Sequence, residues 1–221
     1  IGISEKNNVV AKTVGKLRKF DFKPKNHWEL GQALDLIDKE RAAKIAGSRF
    51  AYLKNGLVKL QFGLMQFVSD RLTDRKVIRK IIKANNLTVT DKPFVLVLPP
   101  ALIKTDTYIA TGRLNGAEVT YKIEGDDLWL NASAEHSMCP MYQNEIVDES
   151  SLPIRYLGFT TAFRREAGTY GKDTEGILRM HQFDKLELES FSTKETSYQE
   201  HLLLVVIQEY LMQQFEIPYQ V

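Results

Sequence analysis

The spacing of apolar residues along the chain predicts two long helices near its middle. Apolar side chains three or four positions apart predict a helix over residues 57–72. The same spacing predicts a basic amphipathic helix over 74–86, with Arg79, Lys80 and Lys83 on a solvated face. Both segments therefore favour helices that bury one side.

Capping patterns predict three further helices. The sequences at 26–29 (Asn-His-Trp-Glu) and 197–200 (Ser-Tyr-Gln-Glu) fit capping boxes, in which a short polar residue and a glutamate three positions on satisfy the first backbone N–H groups. The first box precedes Leu30, Leu34 and Ile37 at helical spacing, and the second begins a helix that runs to about residue 214. A short helix over 40–46 is predicted to end at Gly47.

Runs of β-branched and aromatic residues predict strands between these helices. Asn55-Gly56 is predicted to form a hairpin turn after the first strand. Helices and strands in this order predict an α+β domain, with an antiparallel β-sheet flanked by helices. The predicted strands cover residues 49–53, 94–98, 119–123, 128–134, 156–165 and 178–191.

Alternation along the last two predicted strands places charged and aromatic side chains together on one face. Leu186 and Leu188 share the opposite face, which predicts that the aliphatic side is buried. Guanidinium groups bind phosphate or carboxylate oxygens, an aromatic ring can pack on a base, and a carboxylate can accept from an ammonium group. Spacing alone also fits a hairpin with a solvated charged face. The polar face contains Arg164, Glu166, Arg179, His181, Phe183, Lys185 and Glu187.

A second group of polar residues lies on the predicted strand over 128–134. Asn131, Ser133 and Glu135 occupy alternate positions, so they share one face. Ser133 and Glu135 can hold a small polar ligand, although an exposed strand face is the plainer interpretation.

Composition narrows the function classes only slightly. The 221 residues are 43% hydrophobic, enough for one folded domain, and the net charge of +2 neither requires nor excludes a nucleic-acid partner. Cys139 is the single cysteine, so no intrachain disulfide can form and a reducing compartment is expected. We expect no membrane span and no metal site within the chain, because long apolar runs and metal-ligand spacings are absent from the sequence.

The stretch from Phe163 to Glu187 closely resembles motif 2 of the seryl-tRNA synthetases. It reads FRREAGTYGKDTEG over 163–176 and RMHQFDKLE over 179–187. Class II synthetases share the Phe-Arg-x-Glu core, whereas the following Ala-Gly and the His-Gln-Phe before Lys-x-Glu are typical of seryl enzymes. Further resemblance covers nearly the whole chain. The segments 27–31 and 41–50 resemble the start of that catalytic domain, 57–72 its motif 1 helix, Pro99-Pro100 the proline after it, and 133–135 its serine-binding strand.

This resemblance implies a class II α+β fold and a cytoplasmic serine–tRNA ligase. Such an enzyme uses ATP with Mg²⁺ to convert L-serine to seryl-adenylate, and then transfers the seryl group to tRNA-Ser. The motif 1 resemblance also implies a homodimer. The alternative is a catalytically inactive synthetase-like module that binds nucleotide or only dimerises.

The resemblance also implies a role for each site residue. Arg164 and Arg179 would be catalytic, the first bridging the serine carboxylate and the α-phosphate, the second holding the γ-phosphate. Glu166 would contact the adenine amino group and Phe183 would stack on the adenine. These four residues form the implied ATP site. The implied serine site consists of Ser133, Glu135, Arg164 and Glu187.

The sequence departs from the family pattern in several places. Ser133 stands where the family has threonine, and Glu175 where it has arginine, so a tRNA contact by Glu175 is in question. Residues 70–98 contain an expected insertion. We expect residues 1–221 to be part of a catalytic domain that carries motifs 1 and 2, with the N-terminal tRNA-binding arm and motif 3 outside the chain. Such a piece would be weakly active or inactive and would bind tRNA-Ser weakly.

Overall fold

The structure, a computed structural model, describes residues 7–112, 120–166 and 176–221. Val119 and Glu175, which the sequence analysis singled out, lie outside the described residues. In chain order the elements are β1 (Thr13–Val14), α1 (His27–Ala33), β2 (Ile37–Asp38), α2 (Lys39–Ala46), β3 (Tyr52–Leu53), α3 (Gly56–Leu72), α4 (Arg75–Ala84), β4 (Val95–Val97), β5 (Leu102–Lys104), α5 (Thr105–Ala110), β6 (Leu128–Leu130), α6 (Glu135–Met138), β7 (Ile154–Phe163), β8 (Gln182–Phe191), α7 (Lys194–Gln214) and β9 (Tyr219–Gln220).

The largest sheet has the strand order β4-β7-β8. Strands β7 and β8 are antiparallel over their full length, from Ile154 opposite Phe191 to Phe163 opposite Gln182. The predicted antiparallel sheet flanked by helices is thus confirmed, with one difference. The edge strand β4 runs parallel to β7, which is possible because a long crossover connection separates the two strands.

The main hydrophobic core lies between this sheet and helices α3, α4 and α7. Leu186 and Leu188 of β8 pack against it, as the alternation predicted. The predicted amphipathic helix is also confirmed, because α4 points its isoleucines inward. Burying one such side chain contributes roughly 1.5–3 kcal/mol, so α4 is part of the core. The buried cluster consists of Val68, Leu72, Ile78, Ile81, Ile82, Phe94, Leu157, Leu203 and Ile207.

A buried ion pair joins β7 to α7 beside this core. The Arg155 guanidinium donates from Nε and Nη2 to the Glu200 carboxylate, at 2.8 and 2.6 Å. Its Nη1 donates to the carbonyls of Thr90 and Lys92, at 3.1 and 2.6 Å. Because Arg155 and Glu200 are only 1% and 3% exposed, this network fixes the sheet, α7 and the segment before β4 to one another.

The helix caps and turns predicted near the N-terminal end are confirmed in part. The capping box at Asn26 and Glu29 is present, and Gly47 ends α2 as predicted. The predicted hairpin turn at Asn55-Gly56 is wrong, because Asn55 is the N-cap of α3 and the chain continues into the helix. Ile37 is also not helical, since it pairs with Leu53 in the small β2–β3 sheet.

Three predicted strands, over 119–123, 128–134 and 178–191, are shorter than expected. Strand β6 ends at Leu130, and the chain then turns, so Asn131, Ser133 and Glu135 do not share a strand face. Between 120 and 123 the described residues form only an isolated bridge, from Lys122 to Trp129. Strand β8 begins at Gln182, which leaves Arg179 and His181 in the preceding loop. After β6 and before β8, backbone hydrogen bonds to distant residues replace the predicted ladder: the Asn131 N–H donates to the Ala101 carbonyl, and the His181 N–H donates to the Arg49 carbonyl.

Candidate active site

A cavity of about 470 Å³ opens at the end of the β7–β8 hairpin. It is lined by Arg164, Glu166, Arg179 and Phe183, so the structure brings together the four residues that the sequence analysis grouped as an ATP site. The Arg164 guanidinium carbon lies 5.3 Å from the centroid of the Phe183 ring. Arg179 Nη1 lies 3.1 Å from Glu166 Oε2. Two cations, a carboxylate and an aromatic ring therefore face one space.

The backbone at Glu166 turns sharply to place its side chain in this cavity. Glu166 has a φ of 49°, in the left-handed region that residues other than glycine rarely adopt. Arg49 Nη1 donates to the Glu166 carbonyl at 2.8 Å and holds the turn. Strained positions of this kind persist only where surrounding contacts fix them, and they are concentrated at functional sites.

Ser133, Glu135 and Glu187 form a second group. The Ser133 hydroxyl donates to Glu187 Oε2, and the Glu135 backbone N–H lies 3.2 Å from the same oxygen. The three residues meet although Ser133 and Glu135 lie outside any strand. Arg164 connects this group to the cavity, because its Nε donates to the Ala132 carbonyl at 3.1 Å.

Small residues on β7 explain how the segment over 131–138 comes to lie on the sheet. Gly158 is opposite Glu187 and Ala162 is opposite Phe183 in the β7–β8 register. A Cβ on Gly158 would lie 2.5 Å from the end of the Met138 side chain and 3.1 Å from Ala134 Cβ, so a larger residue would require these neighbours to shift. The Asn131 side chain accepts from the Ser133 N–H at 2.8 Å and fixes the turn that presents Ser133.

The electrostatics of the second group are those of a cation site. Carboxylate oxygens of Glu135, Glu187 and Glu189 lie within 4.8 Å of one another. Burial opposes ionisation of Glu187, but hydrogen bonds from Lys185 and Ser133 outweigh burial and hold the pKa of Glu187 below its usual value. Burial and the negative charge of Glu187 raise the pKa of Glu189. Partial burial, followed by the Glu189 carboxylate, raises the pKa of the Cys139 thiol to about 12, so this thiol is neutral at physiological pH.

Three residues contact the site although the sequence patterns gave them no role in it: Lys185, Arg49 and His181. Lys185 Nζ donates to Ser133 Oγ at 2.7 Å and to Glu187 Oε1 at 2.8 Å. Period-two alternation had placed Lys185 on this face, and that signal was sufficient to find it. Arg49 and His181 brace the loop, since the His181 N–H donates to the Arg49 carbonyl at 3.0 Å. No local pattern predicts these two contacts, because Arg49 lies more than 100 residues away from the residues that it contacts.

Comparison with known proteins agrees with this geometry. The class II core domain family of tRNA synthetases (G, H, P, S and T) matches residues 119–221. A serine–tRNA ligase of Petrotoga mobilis is 38% identical over 222 aligned positions, which cover 100% of this chain and 49% of that ligase. The chain thus spans about half the length of the curated relatives that it matches.

Two solved structures are similar throughout the chain. The seryl-tRNA synthetase of Pyrococcus horikoshii, complexed with ATP, has a TM-score of 0.83 and 35% identity, and the similarity covers 100% of this chain and 50% of that one. The cytoplasmic serine–tRNA ligase of Naegleria fowleri, in complex with AMP, has a TM-score of 0.83 and 26% identity, covering 98% and 49%. The chain is therefore a homologue of serine–tRNA ligases along its whole length, and residues 119–221 match the class II core domain of tRNA synthetases.

Proposed function

We propose that this chain forms the part of a serine–tRNA ligase that activates serine, and that residues 1–221 belong to one catalytic domain. The reaction joins the serine carboxylate to the α-phosphorus of ATP, releases pyrophosphate, and later transfers the seryl group to tRNA-Ser. The position of Arg164 is the observation that carries this proposal. Its guanidinium lies over Phe183 in the cavity and donates to the Ala132 carbonyl, next to Ser133.

The chemistry requires positioning and charge neutralisation rather than a nucleophile from the protein. The serine carboxylate itself attacks, so two anions must approach each other while negative charge builds on the α-phosphoryl oxygens. A guanidinium between the two anions reduces their repulsion in the ground state and in the transition state. We assign this role to Arg164, and we assign the γ-phosphate to Arg179, which also lines the cavity.

Phe183 and Glu166 provide the adenine contacts in this proposal. The Phe183 ring lines the cavity and offers a flat apolar surface on which a base can pack. Glu166 can accept a hydrogen bond from an exocyclic amino group, because carboxylate oxygens are acceptors. Two similar proteins were solved with ATP and with AMP, which supports a nucleotide in this cavity.

Serine recognition is assigned to Ser133, Glu135 and Glu187. A substrate ammonium fits among the carboxylates, and the substrate hydroxyl can donate to Glu187 or accept from Ser133. The ammonium of Lys185 already contacts both Ser133 and Glu187. We infer that Lys185 holds the site in shape and shifts when the serine ammonium enters.

Mg²⁺ is expected to arrive with ATP in this proposal. The carboxylates of Glu135, Glu187 and Glu189 are oxygen donors of the type that Mg²⁺ accepts, but the Lys185 ammonium lies 2.8 Å from Glu187. That donor set therefore fits an ammonium group better than a resident divalent cation. Oxygens of the ATP phosphates remain the natural ligands, and bound Mg²⁺ would neutralise part of their charge.

Glu187→Gln tests the serine site separately from the ATP site. This change keeps the shape of the side chain and removes the negative charge that faces the ammonium. We expect the KM for serine to rise by about tenfold or more in ATP–pyrophosphate exchange, while the dissociation constant of ATP changes little. The assay uses the protein at its full gene-encoded length. If that protein binds ATP without any serine-dependent exchange, the inactive nucleotide-binding module replaces this proposal.

We also propose that the chain forms a homodimer through α3. The apolar stripe over 57–72 divides into two parts, because Val68 and Leu72 are buried in the core whereas Leu60 and Leu64 are 66% and 42% exposed. These exposed leucines border an apolar groove of about 490 Å³ that also includes Phe50, Leu57 and Met180. Contiguous exposed apolar surface of this kind is typical of protein interfaces.

Leu60→Lys combined with Leu64→Lys tests this interface. We expect the wild-type protein to be dimeric by light scattering at micromolar concentration, and the double variant to be monomeric, because two charges cannot be buried in an apolar contact. Ile45→Lys is the matched control, since Ile45 is 76% exposed on α2, away from the groove. A monomeric wild-type protein, or a control that dissociates equally, would refute the dimer.

The remaining parts of the proposal concern location. The single cysteine supports a reducing compartment, and we propose the cytoplasm. Within the described part of the chain, no helix has both the length and the apolar character that a membrane span requires.

A further inference from the structure

Helix α4 and its flanking residues concentrate positive charge. Residues 71–92 contain seven lysines or arginines and two aspartates, which gives a formal charge of +5. The whole chain carries +2, so the other 199 residues sum to −3. The positive charge of this protein is therefore unevenly distributed, and a local field exists where the whole-chain charge is weak.

The cations of α4 all lie on the side of the helix that faces solvent. At about 100° per residue, the five basic positions fall within an arc of about 140°, over about 12 Å of helix. The opposite side carries Ile78, Ile81 and Ile82, which are buried in the core. The five exposed basic residues are Arg75, Lys76, Arg79, Lys80 and Lys83.

Two of these cations are paired and three are not. Asp91 accepts from Arg75 at 2.7 Å and from Arg79 at 2.6 Å. Among the residues that the structure describes, the ammonium groups of Lys76, Lys80 and Lys83 form no ion pair with a carboxylate. These three lysines lie at positions i, i+4 and i+7, so they follow one another along one strip of the helix.

The charge on this helix opposes its own stability. Arg75 and Arg79, Lys76 and Lys80, and Arg79 and Lys83 are like-charge neighbours at i,i+4, which destabilise a helix. The first turn holds two cations and no acidic residue, although the positive end of the helix dipole lies there. The Asp74 N-cap and Asp91 offset part of this repulsion, and an anionic partner would compensate for the part that remains on Lys76, Lys80 and Lys83.

We propose that Lys76, Lys80 and Lys83 form a contact surface for the phosphate backbone of RNA. Lysines are point charges that bind phosphates without reading sequence, and they suit a contact that positions a nucleic acid. A membrane surface is disfavoured because the apolar side of α4 is buried and cannot insert into lipid. Where the RNA is the tRNA substrate, this inference rests on the proposed function. The surface itself is separate from the active site, since α4 packs on the Leu186 and Leu188 face of the sheet.

Triple replacement of Lys76, Lys80 and Lys83 by glutamine tests the surface. Binding of a fluorescein-labelled serine-tRNA transcript is measured by anisotropy over a range of salt concentrations. We expect the dissociation constant to rise at least about tenfold, and the slope of log K against log salt to become shallower by about 2, because three phosphate contacts are lost. The melting temperature should stay equal or rise, since like-charge repulsion is removed.

A second triple variant, with Lys44, Lys104 and Lys194 replaced by glutamine, carries the same charge change on exposed sites of other elements. We expect it to bind the transcript like the wild type. Three results would overturn the inference: an unchanged dissociation constant and slope in the α4 variant, an equal loss in the control, or lysine-dependent binding to phosphatidylserine vesicles without RNA binding. Serine-dependent ATP–pyrophosphate exchange, measured in parallel on the protein at its full gene-encoded length, does not require tRNA. Its absence would refute the proposed function and leave the RNA surface to be judged by the binding data.

Discussion

Replacing Arg164 by alanine is expected to lower serine-dependent ATP–pyrophosphate exchange by about 100- to 1,000-fold. Loss of one preorganised donor at a site where charge develops typically costs roughly 3–4 kcal/mol of transition-state stabilisation. Arg164 is suited to this role because it connects the cavity under Phe183 with the segment that presents Ser133. The loss should appear mainly in kcat, since the charge on the α-phosphoryl oxygens is largest in the transition state.

The neighbouring arginine provides the matched control. Arg165 is exposed and lies over the Tyr121 ring, with its guanidinium carbon 5.9 Å from the ring centroid, and it does not line the cavity. Arg165→Ala should retain most of the exchange activity. We expect Arg164→Lys to have intermediate or low exchange activity, because the lysine ammonium is a point charge, whereas the planar guanidinium can contact two anions at once. Equal activity of Arg164→Ala and Arg165→Ala would contradict the assignment.

Replacing Arg155 by methionine is expected to destabilise the fold by about 3–5 kcal/mol, because it leaves Glu200 as an uncompensated buried charge. For a protein of this size, such a loss corresponds to a decrease in melting temperature of roughly 6–20 °C. The carbonyls of Thr90 and Lys92 also lose a donor. Chemical denaturation followed by circular dichroism measures the change in the free energy of unfolding.

Two further variants separate the charge from the packing. In Arg155→Met with Glu200→Leu no buried charge remains, so part of the stability should return, although the two carbonyls stay without their donor. Arg79→Met removes an exposed partner of Asp91 and should leave the free energy of unfolding unchanged within error. If Arg155→Met unfolds at the same denaturant concentration as Arg79→Met, the buried pair does not stabilise the fold.

The positions of the main elements follow from the sequence itself. Helical spacing predicted α3 and α4, because the period of 3.6 residues must bury one side of each helix. A capping pattern at 197–200 predicted α7, but this helix begins earlier, at Lys194, with Thr193 as its N-cap. Alternation in β8 predicted that Leu186 and Leu188 face the core while Phe183 and Glu187 face the other way. The residue identities around Arg164 and Glu187 also resembled a family, and the comparisons confirmed that family.

The contacts that assemble the site depend on the tertiary structure. Ser133 and Glu135 were predicted on a strand face, yet β6 ends at Leu130 and a turn fixed by Asn131 brings Ser133 to Glu187. Alternation assumes that a strand continues, whereas the actual path depends on the space that Gly158 leaves for Met138. Local patterns do not contain this information, because the residues concerned are distant in sequence.

Sequence alone thus determined the long helices α3 and α4, the extended character of β7 and β8, which side of β8 is apolar, and which residue types on β8 face the candidate site. These properties depend on the preferences of neighbouring residues and on burial periodicity, which act over a few positions. The tertiary structure decided that Arg155 pairs with Glu200 and that Arg49 holds the turn at Glu166. It also decided which cations of α4 are paired, because Asp91, which contacts Arg75 and Arg79, lies outside the helix. Such pairings are set by packing between elements, because the energy of a buried charge or a close contact depends on partners that only the folded chain brings within reach.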